Sequence, residues 1–284
     1  MTAFPWPAFG VGLVYSAIAA LLIMLVTFLV ALAKGVHRIV DVAWGLGFTA
    51  IALVTFAASD GHGDGTRRLL TTVLTAVWGL RLAVHIGVRR CGHGEDPRYE
   101  RLLARAPGNR HLYALRVVYL LQAALIWLVS LPVQAAQYAT GALGPAAAAG
   151  AALWLLGLTF EAVGDSQLAR FRADPRNRGR IMDQGLWRWT RHPNYFGDFC
   201  VWWGLYLLAC AGWQATAVSV ISPVVMSLLL TRGSGKALLE RHMADRPGFA
   251  AYASRTSGFF PLPRRRAPSP HLAPPHNRGR GQKA

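Results

Sequence analysis

The stretch Gln184-Gly185-Leu186-Trp187-Arg188-Trp189-Thr190-Arg191-His192-Pro193-Asn194-Tyr195-Phe196-Gly197-Asp198 gathers guanidinium, imidazole, amide, phenol and carboxylate groups beside an apolar run. Arg191, His192, Asn194, Tyr195 and Asp198 together can hold the polar end of a cofactor. Asn194, Gly197 and Asp198 share one helical face, with the glycine allowing close approach. Upstream, Glu161, Asp165, Leu168 and Arg172 recur at spacings of four, three and four, which makes a second stripe. It runs into Arg170, Arg172, Arg176, Arg178 and Arg180, opposed only by Asp174. Planar guanidinium groups grip phosphates in pairs, so this cluster suits a polyanionic ligand. A third set, Asp41 with Arg81 and His85, places ionisable groups inside apolar runs. Each costs about 2.5–3.5 kcal/mol there even on the lenient insertion scale, so each needs a partner or a task. Asp41 paired with Arg81 or His85 could simply lock helices; it could equally line a substrate cavity.

The elements that must position these groups are membrane helices. Of 284 residues, 53% are hydrophobic and 15% charged, with 10 tryptophans. Apolar stretches near 20 residues long match a bilayer core of roughly 30 Å. Seven spans are predicted: Val11–Ala33, Ile39–Ala58, Leu69–Val88, Val117–Ala136, Ala142–Val163, Phe196–Ala211 and Trp213–Thr231. Between the third and fourth lies a charged loop, 89–116, whose run Gly92-His93-Gly94-Glu95-Asp96-Pro97-Arg98-Tyr99 reads as a turn. Gly185 and Pro193 bracket a short interfacial piece before the sixth span.

Charge sets the orientation. Of 30 Lys and Arg, only Arg67 and Arg68 fall outside and Arg81 within a span, if Lys34, His37 and Arg38 lie inside. That asymmetry predicts an all-α polytopic membrane bundle of about seven transmembrane helices, N-terminus outside and C-terminus cytoplasmic, in a bacterial inner membrane. The formal net charge of +17 is then topological and needs no nucleic acid as partner. Three cysteines, Cys91, Cys200 and Cys210, form neither a CxxC pair nor a disulfide framework, and no metal site is expected. Residues 1–263 form one integral-membrane domain; 264–284, rich in Pro, Arg and Gly without any acid, should be a disordered basic tail, a solvated anchor flank rather than a binding site for anionic lipid.

The segment Gly185–Asp198 resembles the shared motif of steroid 5-alpha-reductase-like membrane proteins and sterol reductases. The closing segment from Leu238-Leu239-Glu240 through Arg246-Pro247-Gly248-Phe249 to Gly258-Phe259-Phe260-Pro261, and the Asp41-Val42-Ala43-Trp44-Gly45 element, resemble a bacterial branch of that superfamily. The resemblance implies a seven-helix bundle that admits NADPH from the cytoplasm and a lipid-soluble enone from the membrane. It further implies cofactor-binding roles for Asp165, Leu168, Arg172, Arg180, Asn194 and Asp198. The catalytic half departs from the pattern, since neither the Gln-Glu pair nor the Tyr of the steroid reductases is present. In their region stand Asp41 and Trp78, and an un-ionised Asp41 could give a proton to developing enolate charge.

These readings converge on an NADPH-dependent reductase of a carbon–carbon double bond in a hydrophobic, steroid-, sterol- or isoprenoid-like lipid. Asp41, Arg81 and His85 are its expected catalytic groups. The Arg-His-Pro-x-Tyr-x-Gly element also resembles isoprenylcysteine and phospholipid methyltransferases, which makes an S-adenosylmethionine-dependent methyltransferase the alternative. A transporter or other non-catalytic membrane protein is disfavoured, because the polar residues gather at one mouth rather than along a through-path.

Overall fold

A computed structural model describes residues 4–90, 94–233 and 235–264. Cys91 and the tail 265–284 lie outside the described residues. Among these residues the chain is helical, without a strand; Thr190 and Ser257 form one isolated bridge. The first three helices are α1 (Trp6–Lys34), α2 (Val40–Ala58) and α3 (Gly65–Arg90). Helix α4 (Pro97–Leu103) follows where a turn is predicted, because the Asp96 carboxylate accepts the Arg98 N–H and Pro97 occupies the first helical turn.

Helix α5 (Arg110–Val129) contains a π-turn over Leu115–Leu120. It ends earlier than the predicted fourth span: at Ser130 the chain leaves helical geometry, and α6 (Leu131–Ala136), opened by Pro132, is buried throughout. Helix α7 (Pro145–Ala173) runs ten residues beyond the predicted fifth span, so the whole Glu161–Arg172 stripe lies on one helix. Helix α8 is Pro193–Ala209. The predicted last span is two helices, α9 (Trp213–Ser219) and α10 (Ile221–Thr231). Pro223 accounts for the break, since it lacks an N–H and its ring crowds the carbonyl four residues earlier. Two short helices close the chain, α11 (Lys236–Met243) and α12 (Phe249–Arg255).

Six helical segments are long and apolar enough to cross a membrane, the last of them taken over Trp213–Met243. The predicted sixth span corresponds to α8, which has 17 residues. At 1.5 Å per residue it covers about 25 Å, short of a full hydrocarbon core.

Glycine decides which helices touch. A Cβ added at Gly197 on α8 would stand 2.5 Å from the Gly157 carbonyl on α7, and one at Gly150 would stand 2.6 Å from the Gly204 carbonyl. The two glycine pairs share a seven-residue spacing and bring the backbones of α7 and α8 together over their length. Gly45 and Gly79 meet in the same way between α2 and α3. Around these contacts an aromatic centre forms, with Phe48, Trp78 and Trp202 at ring separations of 4.6 to 5.6 Å.

Candidate functional site

The glycine seam presses two acidic side chains toward each other. Without a side chain at Gly197, Glu161 can fold against α8, where an added Cβ would lie 2.7 Å from its Cγ. Asp198 is one residue further on and within electrostatic reach. Glu161 is almost fully buried and is held from two sides: the Trp78 indole N–H donates to Oε1 at 2.8 Å, and Arg81 Nη1 donates to Oε2. The other arm of Arg81 donates to Asp165 Oδ2, and His85 Nε2 stands 3.5 Å from the same oxygen. The resulting cluster joins α3 to α7 at membrane depth. Asp198 Oδ1 and Trp202 Nε1 are buried and lack a hydrogen-bond partner among the described residues, although Trp202 lies close enough to influence Asp198.

This cluster floors a cavity of 490 Å³ lined by His85, Arg89, Asp165, Leu168, Arg172, Asn194, Tyr195 and Asp198, together with residues of α4 and α11. A second cavity, of 440 Å³, adjoins it and contains Arg178, Arg180, His192 and Arg246. Leu168, Arg172, Trp187, Leu239 and His242 line both, so the two are chambers of one elongated space. Trp187 is fixed at the junction: its indole N–H donates to the Gly164 carbonyl at 3.0 Å, and its own carbonyl accepts the Tyr252 hydroxyl at 2.7 Å. Gly185, at a φ of 57°, lets the chain turn tightly beside Gln167, whose Oε1 accepts the Leu186 N–H.

The arginines in this space differ in occupation. Arg176 pairs with Asp174 at 2.8 Å, whereas Arg172 and Arg180 meet no carboxylate within ion-pair distance among the described residues. Arg172 instead feels the like charges of Arg89 and Arg246. Three guanidinium groups without a counter-charge repel one another, and an anion between them would relieve that repulsion.

One expectation needs correction. Asp41 does not pair with Arg81 or His85; the carboxylates of α7 take those partners. Asp41 accepts instead from Arg98 Nη2 at 2.9 Å and from the Tyr99 hydroxyl at 2.7 Å, lines neither chamber, and pins α4 against the start of α2. Burial together with the Asp41 carboxylate raises the Tyr99 phenol above its ordinary range, so it donates to Asp41 as the neutral form. Arg191 lines the second chamber while donating to Glu240 at 2.9 Å and to the carbonyls of Ala253 and Thr256 at 2.9 and 2.6 Å. His192 lines the second chamber but is also tied to Glu240 at 2.9 Å and stacks on Tyr195. Burial outweighs that carboxylate and lowers the His192 imidazole below its ordinary value.

Glu161 and Trp78 are the groups whose importance exceeds their prominence in the sequence. Glu161 had a signal, an acid four residues before Asp165 within an apolar run; Trp78 had only its place one turn before Arg81. Comparison with curated proteins and with solved structures finds no match. Residues 27–256 match the family described as protein of unknown function (DUF1295), and since that match covers most of the chain, the chain belongs to this family.

Proposed function

We propose that the protein is an NADPH-dependent reductase of a carbon–carbon double bond in a hydrophobic lipid, embedded in a bacterial inner membrane. In this reading seven helices cross the bilayer, with α8 as the short one, the N-terminus outside and the two-chambered space open to the cytoplasm. The observation that carries it is the convergence of Asp165, Leu168, Arg172, Arg180, Asn194 and Asp198 on that space, with Arg172 and Arg180 in no ion pair among the described residues.

The residues fit a dinucleotide. Arg172, with Arg180 in the second chamber, offers charge-assisted donors to phosphate groups. Trp187 offers a fixed apolar wall between the chambers, and the unpartnered Asp198 Oδ1 offers an acceptor to a ribose hydroxyl or carboxamide, as Asn194 offers both donor and acceptor. NADPH in this space supplies the hydride. The chain must then hold the substrate and manage one proton. Arg81 orients Glu161 and Asp165, and His85 is placed beside Asp165 Oδ2 to hold or release a proton there. Glu161 joins Arg81 and His85 as the catalytic set, while Asp41 becomes a positioning residue for α4.

The test is binding to purified protein in detergent, comparing NADPH, NADH and S-adenosylmethionine by calorimetry. NADPH should bind, and Arg172→Ala with Arg180→Ala should weaken it about tenfold or more, the loss of charge-assisted contacts. The acidic floor of Glu161, Asp165 and Asp198 is the feature that would favour a sulfonium cation instead. Binding of S-adenosylmethionine alone would replace this reading with a methyltransferase.

A further inference from the structure

Helices α4 and α11 face each other across the mouth of the inner chamber. Asp96, Pro97, Arg98 and Arg101 line it on one side, Leu238, Leu239 and His242 on the other, and a side-chain contact spans the gap: Arg101 Nη2 stands 3.3 Å from His242 Nε2. Both side chains are exposed, and each is aimed by the carbonyl four residues earlier on its own helix. Arg101 Nε donates to the Pro97 carbonyl at 3.0 Å, and His242 Nδ1 lies 2.7 Å from the Leu238 carbonyl oxygen. The bodies of the two helices are held elsewhere. Asp41 grips α4 through Arg98 and Tyr99, and Glu240 ties α11 to Arg191 and His192. Glu240 and His242 are two residues apart, about 200° around a helix, so α11 is tethered on one flank and touches Arg101 with the other.

That contact fixes the charge of the imidazole. A carbonyl oxygen only accepts, so Nδ1 carries the hydrogen given to Leu238; a guanidinium only donates, so Nε2 must offer Arg101 a lone pair. Both bonds coexist only in the neutral ring. A proton on Nε2 sets donor against donor and cation against cation. We propose that Arg101 and His242 form a proton-operated latch over the inner chamber, closed while the imidazole is neutral and released when it is protonated. The latch governs access to the chamber whatever fills it, so it does not rest on the reductase reading. Its surroundings favour release. Arg98 on α4, Arg89 on α3 and Arg172 on α7 line the same chamber, Arg246 lines the second one with His242, and Arg241 and Asp245, opposite in sign, lie close by in the chain. The other acids are engaged: Asp96 with Arg98, Glu240 with Arg191 and His192, and Glu161, Asp165 and Asp198 around Arg81 at the floor, with His85 beside Asp165. A charged His192 would tighten its bond to Glu240, keeping α11 tethered while its other flank comes free.

The test measures the separation of α4 and α11 in the full chain in phosphatidylcholine nanodiscs. Double electron–electron resonance would read it from nitroxides on Ala104→Cys and Arg241→Cys, exposed positions that line neither chamber, with the three native cysteines replaced by alanine. At about pH 8 a short distance should dominate, and at about pH 5 a longer one should take over, since imidazole changes charge in that range. His242→Gln, whose amide oxygen still accepts from Arg101, should stay short at both pH values, and His242→Lys, charged at both, should stay long. A native distribution that ignores pH, or a pH step that persists in His242→Gln, would overturn the latch. Nitrogen NMR of labelled histidine, with the cysteines intact, checks it independently: at about pH 8 the resonances missing from His242→Gln should report Nδ1–H and a bare Nε2, and the opposite tautomer would refute it. NADPH binding separates the two claims: a working latch without NADPH binding sinks the reductase reading alone, and NADPH binding with a pH-independent distance sinks this one alone.

Discussion

Arginine does opposite work at the two ends of the α7–α8 pair. At the end where α8 finishes, Arg67 is 1% exposed and donates to the carbonyls of Leu208, Gly141 and Ala142, while Arg68 donates to the Phe56 carbonyl and the Ser59 hydroxyl. Those acceptors are helix ends and a loop, so the terminal nitrogens of Arg67 are committed to the fold, while its Nε is buried without a hydrogen-bond partner among the described residues. At the other end, Arg81 organises two carboxylates that line a cavity, and Arg172 and Arg180 meet no carboxylate within ion-pair distance among the described residues. The contrast teaches that membership in a basic cluster says little; what matters is whether the fork of donors is already consumed. By that measure Arg191, inside the most recognisable motif, belongs with Arg67.

Arg67→Met should be the most damaging change, because it abandons three buried carbonyls; a stability loss of roughly 3–5 kcal/mol is expected in reversible unfolding from detergent, with NADPH affinity unchanged in the folded fraction. Gly197→Ala should follow at about 1–3 kcal/mol, since its Cβ meets the Gly157 carbonyl at 2.5 Å, and it should also lower turnover by displacing Glu161. Arg172→Ala should do the reverse of Arg67→Met, leaving the unfolding midpoint in place while costing roughly 1.5–3 kcal/mol in NADPH binding. An Arg172→Ala protein that melts early and binds normally would dissolve the distinction.

Asp41→Asn comes next, at about 0.5–1 kcal/mol: the amide oxygen still accepts from Tyr99, and the part-exposed ion pair with Arg98 is lost. Turnover per folded molecule should stay near normal. The smallest effect is a pH slope from His192. Its imidazole is held below 6.5 by burial, so the unfolded chain takes up a proton that the folded chain refuses. Stability should fall as pH drops below about 6.5, level off once the folded imidazole is itself protonated, and be indifferent to pH above that window. His192→Gln should flatten the slope.

Much of this was readable from residue order, for physical reasons that also mark where reading stops. Apolar runs report helices because lipid forces each span to satisfy its own backbone, and the stripe at Glu161, Asp165, Leu168 and Arg172 reports one face because helical periodicity is local. The breaks at Ser130 and Val220 were hidden within apolar stretches, although Pro132 and Pro223 mark them. Pairing across helices was not legible. Asp41, Arg81 and His85 lie near the same ends of neighbouring spans, which made them natural partners; the deciding fact is that α7 carries two acids at that depth. Arg98 and Tyr99, the actual partners of Asp41, sat in a segment read as a turn until the Asp96 cap made it a helix.

Arg67 also bears on how the molecule is made. It enters the bilayer with the third helix, yet its acceptor at Leu208 lies 141 residues later in the chain. At about 5–20 residues per second, a ribosome needs roughly 7–28 s to supply that carbonyl. In that interval the carbonyls of Gly141 and Ala142 become available first, and the set of acceptors is complete only once α8 has been made. Biogenesis thus has a defined late step at this end: a nascent chain that stops before α8 offers this guanidinium the Gly141 and Ala142 carbonyls but not that of Leu208.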